Sequence, residues 1–111
     1  MSKKKRKVYP RLRVMAEYAS SSIWAMQSVG LFRHGMVSHG RLQLPPDLRG
    51  QFEAWIEKYW ENLEPNFDVA SFNAEGLELA TALKRLLGVD VRVVFAPEDE
   101  NNGLGEERLI E

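Results

Sequence analysis

The sequence predicts an α+β fold: a two-layer sandwich in which an antiparallel helix pair packs on a small sheet. The expected order is strand, irregular or hairpin segment, helix, helix, strand. Three observations carry this. Apolar and polar residues alternate near both ends of the central region, at "RLRVMAEY" (11–18) and "VDVRVVF" (89–95). Between them, two stretches repeat with helical period, and a short link joins them, which makes the helices antiparallel neighbours. The 111 residues suit one domain, and a chain of that size buries roughly two-thirds of its unfolded surface without staples.

In the first strand, Leu12, Val14, Ala16 and Tyr18 share one face, and Arg11, Arg13, Met15 and Glu17 share the other. Pro10 precedes it, where a missing backbone donor does no harm. Residues 19–45 are broken by serines and glycines, yet ten large apolar side chains from Ile23 to Leu44 require something to pack on. A short hairpin over "MVSHGRLQL" (36–44), turning at His39–Gly40, is one reading of this stretch.

The first helix opens at Pro45–Pro46 with Asp47 in its first turn. Leu48, Phe52, Trp55, Tyr59 and Leu63, with Ile56 beside them, fall on one helical face, and Pro65 ends the element. The second helix is capped by Asp68 or Ser71 and buries Phe72, Gly76, Leu79, Ala80, Leu83, Leu86 and Leu87. Gly76 on that stripe costs about 1 kcal/mol of helix propensity, and a close helix–helix approach is the expected compensation. Gly88 is placed as the C-terminal cap. The last strand turns Val91, Val93 and Phe95 to one face, and a short further strand falls at Leu109–Ile110. Two strands alone are marginal in water, so either residues 29–44 donate strands or two chains share a sheet; a homodimer is the favoured reading.

Charge divides the chain. Residues 1–13 hold seven cations and no acid, whereas 98–111 hold six acids against Arg108. The expected organisation is a basic flexible arm (1–10), one α+β domain (11–97) and an acidic tail (98–111). With no cysteine, disulfide frameworks and thiolate metal sites are excluded. No apolar run approaches the ~20 residues of a membrane helix, and the basic start lacks the apolar stretch of a secretory signal. The expectation is an intracellular, cytoplasmic protein.

Enzyme signatures are missing. His34 and His39 lack further ligands at metal spacing, Ser20, Ser21 and Ser22 lack a glycine-flanked elbow, and no glycine loop cradles phosphate. A site built from His34, His39 and Glu17 requires convergence that spacing does not supply. No cofactor or metal is expected, and no enzymatic activity.

Two features invite partners. On the first helix Glu53, Glu57, Glu61 and Glu64 project within one sector beside Trp60, away from the apolar stripe. Like charges four apart repel by roughly 0.2–0.5 kcal/mol per pair, with Arg49 and Lys58 alone near enough to offset them. The plain reading is a solvated face; the functional one is an acidic ridge with an aromatic anchor, suited to a basic protein surface. Such a domain fits an immunity or antitoxin-like inhibitor masking a cationic toxin site. The other feature is Lys3, Lys4, Lys5, Arg6 and Lys7. This run reads as a solubilising terminus or added tag, as an address, or, extended through Arg11 and Arg13 to span residues 3–13, as a nucleic-acid arm giving salt-sensitive, sequence-blind affinity. It resembles the nuclear-import signal of a polyomavirus large tumour antigen, with Ser2 where that signal has proline; in a eukaryotic host this implies a nuclear protein.

"LRVMAEYASSSIW", "LQLPPDLRGQFEAWIEKYWENL" and "FNAEGLELATALKRLLGVDVRVVF" together resemble a family of short uncharacterised bacterial proteins. Its landmarks are a strand ending in A-(E/D)-Y, a tryptophan, a helix with L-x-L-x-x-x-L-x-x-x-(L/F)-x-x-W, and an E-G-x-x-L-A-x-x-L helix before a last strand. The matching residues are Ala16, Glu17, Tyr18, Trp24, Leu42, Leu44, Leu48, Phe52, Trp55, Glu75, Gly76, Leu79, Ala80 and Leu83. The resemblance covers about residues 12–96, departs in a longer 25–41 segment and the basic start, and implies a fold rather than an activity.

Overall fold

A computed structural model of the chain describes residues 11–26, 35–98 and 106–111. Its elements run β1 (Arg11–Met15), β2 (Ile23–Ala25), β3 (Gly35–Met36), α1 (Pro46–Lys58), a 3-10 turn (Tyr59–Glu61), α2 (Val69–Leu87), β4 (Arg92–Ala96) and β5 (Arg108–Ile110). The five strands form one sheet in the order β3-β2-β1-β4-β5. β1 and β4 pair in parallel at its centre, and the other neighbours are antiparallel.

Register explains the core. Leu12 lies between Ala25 and Val93, and Val93 pairs with Ile110, which makes one buried row across the sheet. Val14 lies between Ile23 and Phe95 in the next row, also buried. The period-two alternation read in β1 and β4 is therefore this inward face. The opposite face carries Trp24, Arg13, Val94 and Leu109 in register, with Met36 paired to Trp24.

Both helices pack against the inward face. Asp68 caps α2 by accepting from the Ser71 N–H at 3.0 Å. Gly88, at φ 87°, closes it with a bond from its N–H to the Lys84 carbonyl at 2.9 Å. Trp55 stacks on Phe72 with centroids 4.7 Å apart, and Tyr59 lies 5.6 Å from the same ring. Trp55 also abuts Gly76, so contacts ascend one helix as they descend the other, an antiparallel pair. The Trp55 indole N–H, buried among rings, donates to the Phe72 carbonyl at 2.9 Å, meeting the need of an aromatic with a polar handle. Gly76 sits in the close approach its propensity cost called for: a Cβ there would lie 2.5 Å from Trp55 and 2.6 Å from Phe95. The crowding thus includes the sheet as well as the other helix.

Four expectations are corrected. The 19–45 segment supplies β2 and β3, so the sheet is completed within one chain and the argument for a shared sheet falls away. No hairpin spans 36–44; β3 ends at Met36, and Ser38–Gln43 coil through turns, with Gln43 N–H bonded to the Gly40 carbonyl. α1 stops at Lys58 and tightens into the 3-10 turn seven residues before Pro65, because local bonds such as Asn62 N–H to the Tyr59 carbonyl replace the helical ladder. Leu63 is consequently 74% exposed instead of lying on the buried stripe. Tyr18, read as the last inward residue of the first strand, lies beyond β1 and is half-buried against the 3-10 turn.

Candidate functional site

The tight turn from β1 to β2 faces the outer side of α1, and the candidate surface lies along that junction. Ala19 and Ser22 both adopt positive φ, 51° and 63°, which folds Glu17–Ser22 back on itself. Side chains hold the turn: Ser20 Oγ donates to the Glu17 carbonyl and accepts from the Ser22 N–H, and the Tyr18 N–H donates to the Glu17 carboxylate. The turn thereby carries Tyr18 outward onto the 3-10 turn. There its ring lies 4.7 Å from those of both Tyr59 and Trp60, and its hydroxyl donates to Asn62 Oδ1 at 2.5 Å.

Trp60 is 57% exposed with one side against Tyr18. Glu53, Glu57 and Glu61 are exposed beside it on α1 and the 3-10 turn. Glu64 is exposed too, but it lies past the 3-10 turn, its N–H bonded to the Glu61 carbonyl, so the ridge bends there. Of the two cations available to the ridge, Arg49 meets Glu53 at 3.4 Å. Lys58 turns away to Glu75 on α2 at 2.6 Å. Among the described residues Glu57, Glu61 and Glu64 make no ion pair.

Two further acids flank the aromatics. The buried Tyr59 donates its hydroxyl to Glu98, and burial first, then this bond and the nearby carboxylates, push its pKa well above the ordinary phenol range. Burial raises the Glu98 pKa, as does the charge of Glu17, while the bond from Tyr59 opposes them. Sequence reading missed Tyr18, Tyr59 and Glu98 as site neighbours. Tyr18 and Tyr59 were counted as core, and nothing in the spacing brings Glu98 to them.

Beside the ridge a cleft of about 360 Å³ opens between the β1–β2 turn and α1. Ser20, Met36, Ser38, His39, Glu53 and Glu57 are among its walls. A larger hollow of about 540 Å³ between α2 and the β4–β5 end holds none of the candidate residues. His39 is buried, bonds the Ser21 carbonyl through Nε2 at 2.9 Å and packs on Phe52. No cluster of three or more His, Cys, Asp or Glu side chains fit to hold a metal occurs among the described residues. Nor is any of the three serine hydroxyls there bonded to an imidazole. His34 and the run Lys3, Lys4, Lys5, Arg6 and Lys7 lie outside the described residues. No helix among the described residues is long and apolar enough to cross a membrane.

The fold is a small α+β domain that, among the described residues, exposes Glu53, Glu57, Glu61 and Glu64 near the half-exposed Trp60. The chain belongs to the family described as Serratia CdiI immunity protein-like, whose model matches residues 10–98. That span takes in β1 to β4 and both helices. No curated protein and no solved structure matches the chain.

Proposed function

We propose that the chain is a non-enzymatic immunity protein that binds and silences a toxin through the face formed by Glu53, Glu57, Trp60, Glu61 and Glu64. The observation that carries this reading is Trp60. A large aromatic ring stands more than half exposed, braced by Tyr18, among carboxylates of which Glu57, Glu61 and Glu64 make no ion pair among the described residues. Solvated helix faces seldom hold tryptophan, whereas interface hot spots are enriched in it. Membership of an immunity-like family supports a protein partner. Uncompensated acids favour a basic one, because complementary potentials steer encounter and suppress wrong partners.

The test is isothermal titration of the full chain with a catalytically dead toxin domain from the same genome, compared with the Glu57→Lys/Glu61→Lys double variant. Binding weakened a hundredfold or more, with a reduced association rate, is the expected result. Unchanged affinity would remove the ridge from the interface.

A further inference from the structure

We propose that Met36 is a peroxide-sensitive modification site, whose oxidation to the sulfoxide loosens the β1–β2 turn and unseats Tyr18 from Trp60. Exposure alone would not single it out, although Met36 is 53% exposed. What distinguishes it is that its sulfur has a fixed task. Sδ accepts the Ser21 N–H at 3.3 Å, which ties β3 to the turn. Ser21 is the hub of that turn. Its hydroxyl bonds both the N–H and the carbonyl of Ile23, and its carbonyl meets His39 Nε2 at 2.9 Å. The Ser21 N–H alone rests on a thioether, which is a weak acceptor. The turn has little in reserve. Ala19 and Ser22 hold positive φ, a costly conformation outside glycine, and the Ser22 hydroxyl is buried with no hydrogen-bond partner among the described residues.

The chemistry needs only hydrogen peroxide. A sulfur lone pair attacks one peroxide oxygen, and the S–O bond forms as the O–O bond breaks. The departing hydroxide takes the proton carried on the transferred oxygen and leaves as water, so sulfur is oxidised and peroxide reduced. The flexible apolar side chain becomes polar and chiral. If the new oxygen takes over the Ser21 N–H, it stands between the two atoms. An N–H···O contact itself spans about 2.9 Å, so sulfur cannot stay at 3.3 Å. If the oxygen points away, the N–H loses its acceptor. Either orientation displaces Ser21. The displacement passes to Tyr18, because Glu17, Ser20 and Ser22 are bonded within the same turn, and the Tyr18 ring lies 4.7 Å from Trp60. Met15 and Met26 are half-buried, so peroxide reaches Met36 before them. The site stands without the docking reading above, which supplies only what the oxidation would regulate.

The experiment treats the full ¹⁵N-labelled chain with dilute hydrogen peroxide and follows it by peptide mass mapping and amide spectra. Met36 is expected to gain one oxygen about fivefold or more faster than Met15 and Met26. As it does so, the amide signals of Tyr18 and Ser21 and the indole signal of Trp60 should shift together. Methionine sulfoxide reductases acting on both epimers should return them. Met36→Leu conserves volume at an exposed position, so it folds, and its spectrum at those residues should ignore peroxide. Oxidation of Met15 or Met26 as fast as Met36 would overturn the site. So would a Met36 sulfoxide that leaves Tyr18, Ser21 and Trp60 unmoved, or a peroxide response that persists in Met36→Leu. No toxin enters the experiment, so its failure and the failure of the docking reading are separate results.

Discussion

The Asn73 side chain clasps the backbone of Glu98 at both ends of its amide. Nδ2 donates to the Glu98 carbonyl and Oδ1 accepts from the Glu98 N–H, each at 2.9 Å. One side chain on α2 thus holds the exit of β4 and presents the Glu98 carboxylate to Tyr59. Asn73→Ala leaves a half-buried backbone donor and acceptor without partners, at about 1–3 kcal/mol. Urea denaturation checks the loss. Asn73→Asp keeps the acceptor, forfeits the donor and adds a charge beside Glu98, so it should do no better.

Gly76→Ala is expected to destabilise although alanine is the better helix former. The propensity gain is about 1 kcal/mol, but the new methyl would meet the Trp55 and Phe95 rings at 2.5 and 2.6 Å. Both rings are buried and locked by neighbours, and overpacking a dense core costs about 1–3 kcal/mol. Combining it with Phe95→Leu should cost less than the two single changes added, a coupling that a double-mutant cycle reads directly.

Glu98 and Asp68 impose opposite pH slopes. The folded state raises the Glu98 pKa, chiefly by burial, so its neutral form suits the fold. Its contribution is present below the ordinary carboxylate value of about 4.3 and is lost as pH rises through the higher folded value. Glu98→Gln should therefore stabilise the protein at pH 7, with the advantage vanishing towards pH 4; thermal melts across that range decide it. Were the advantage constant with pH, the ionisation of Glu98 would not be its source.

Asp68 runs the other way. Hydrogen bonds from Ser71 at the start of α2 hold its pKa down, so its ionised form belongs to the folded state. The stabilisation is present above the ordinary Asp value of about 3.9 and disappears as pH falls through the lowered folded value. Asp68→Ala should lower the midpoint of denaturation at pH 7, and the gap from the parent chain should close in acid.

Legibility followed range. The Asp68 cap, the Gly88 terminator, the inward residues of β1 and the Phe72–Leu83 stripe were readable because each is written by residues a few positions apart. Pairing of β1 with β4 was not, since it joins residues about eighty positions apart and no local period encodes a partner. β2 and β3, three and two residues long, are too short to show alternation at all. Helical spacing carried the Leu63 assignment too far because it says nothing about where a helix yields to a 3-10 turn. The same division governs the site. Glu53, Glu57 and Trp60 were proposed from one helical span, whereas the neighbours Tyr18, Ser20 and His39 come to that proposed face from elements as much as about forty residues upstream.

If the proposed face is right, Trp60 is where binding and folding should separate. Its ring is 57% exposed and, among the described residues, makes one aromatic contact, with Tyr18; such a pair is worth about 0.5–1.5 kcal/mol. Trp60→Ala should therefore cost little stability, at the low end of that range. A central tryptophan in an interface commonly costs about 2 kcal/mol or more when truncated, roughly a thirtyfold loss of affinity. Titration with the inactive toxin domain, run beside a urea melt of the same variant, compares the two effects. Tyr18→Phe refines the result: it keeps the ring behind Trp60 and deletes only the hydroxyl bonded to Asn62. If bracing by Tyr18 is what fixes Trp60, Tyr18→Phe binds nearly as well as the parent and Tyr18→Ala approaches the Trp60→Ala loss. An affinity untouched by Trp60→Ala would make the tryptophan a surface accident and move the docking face elsewhere.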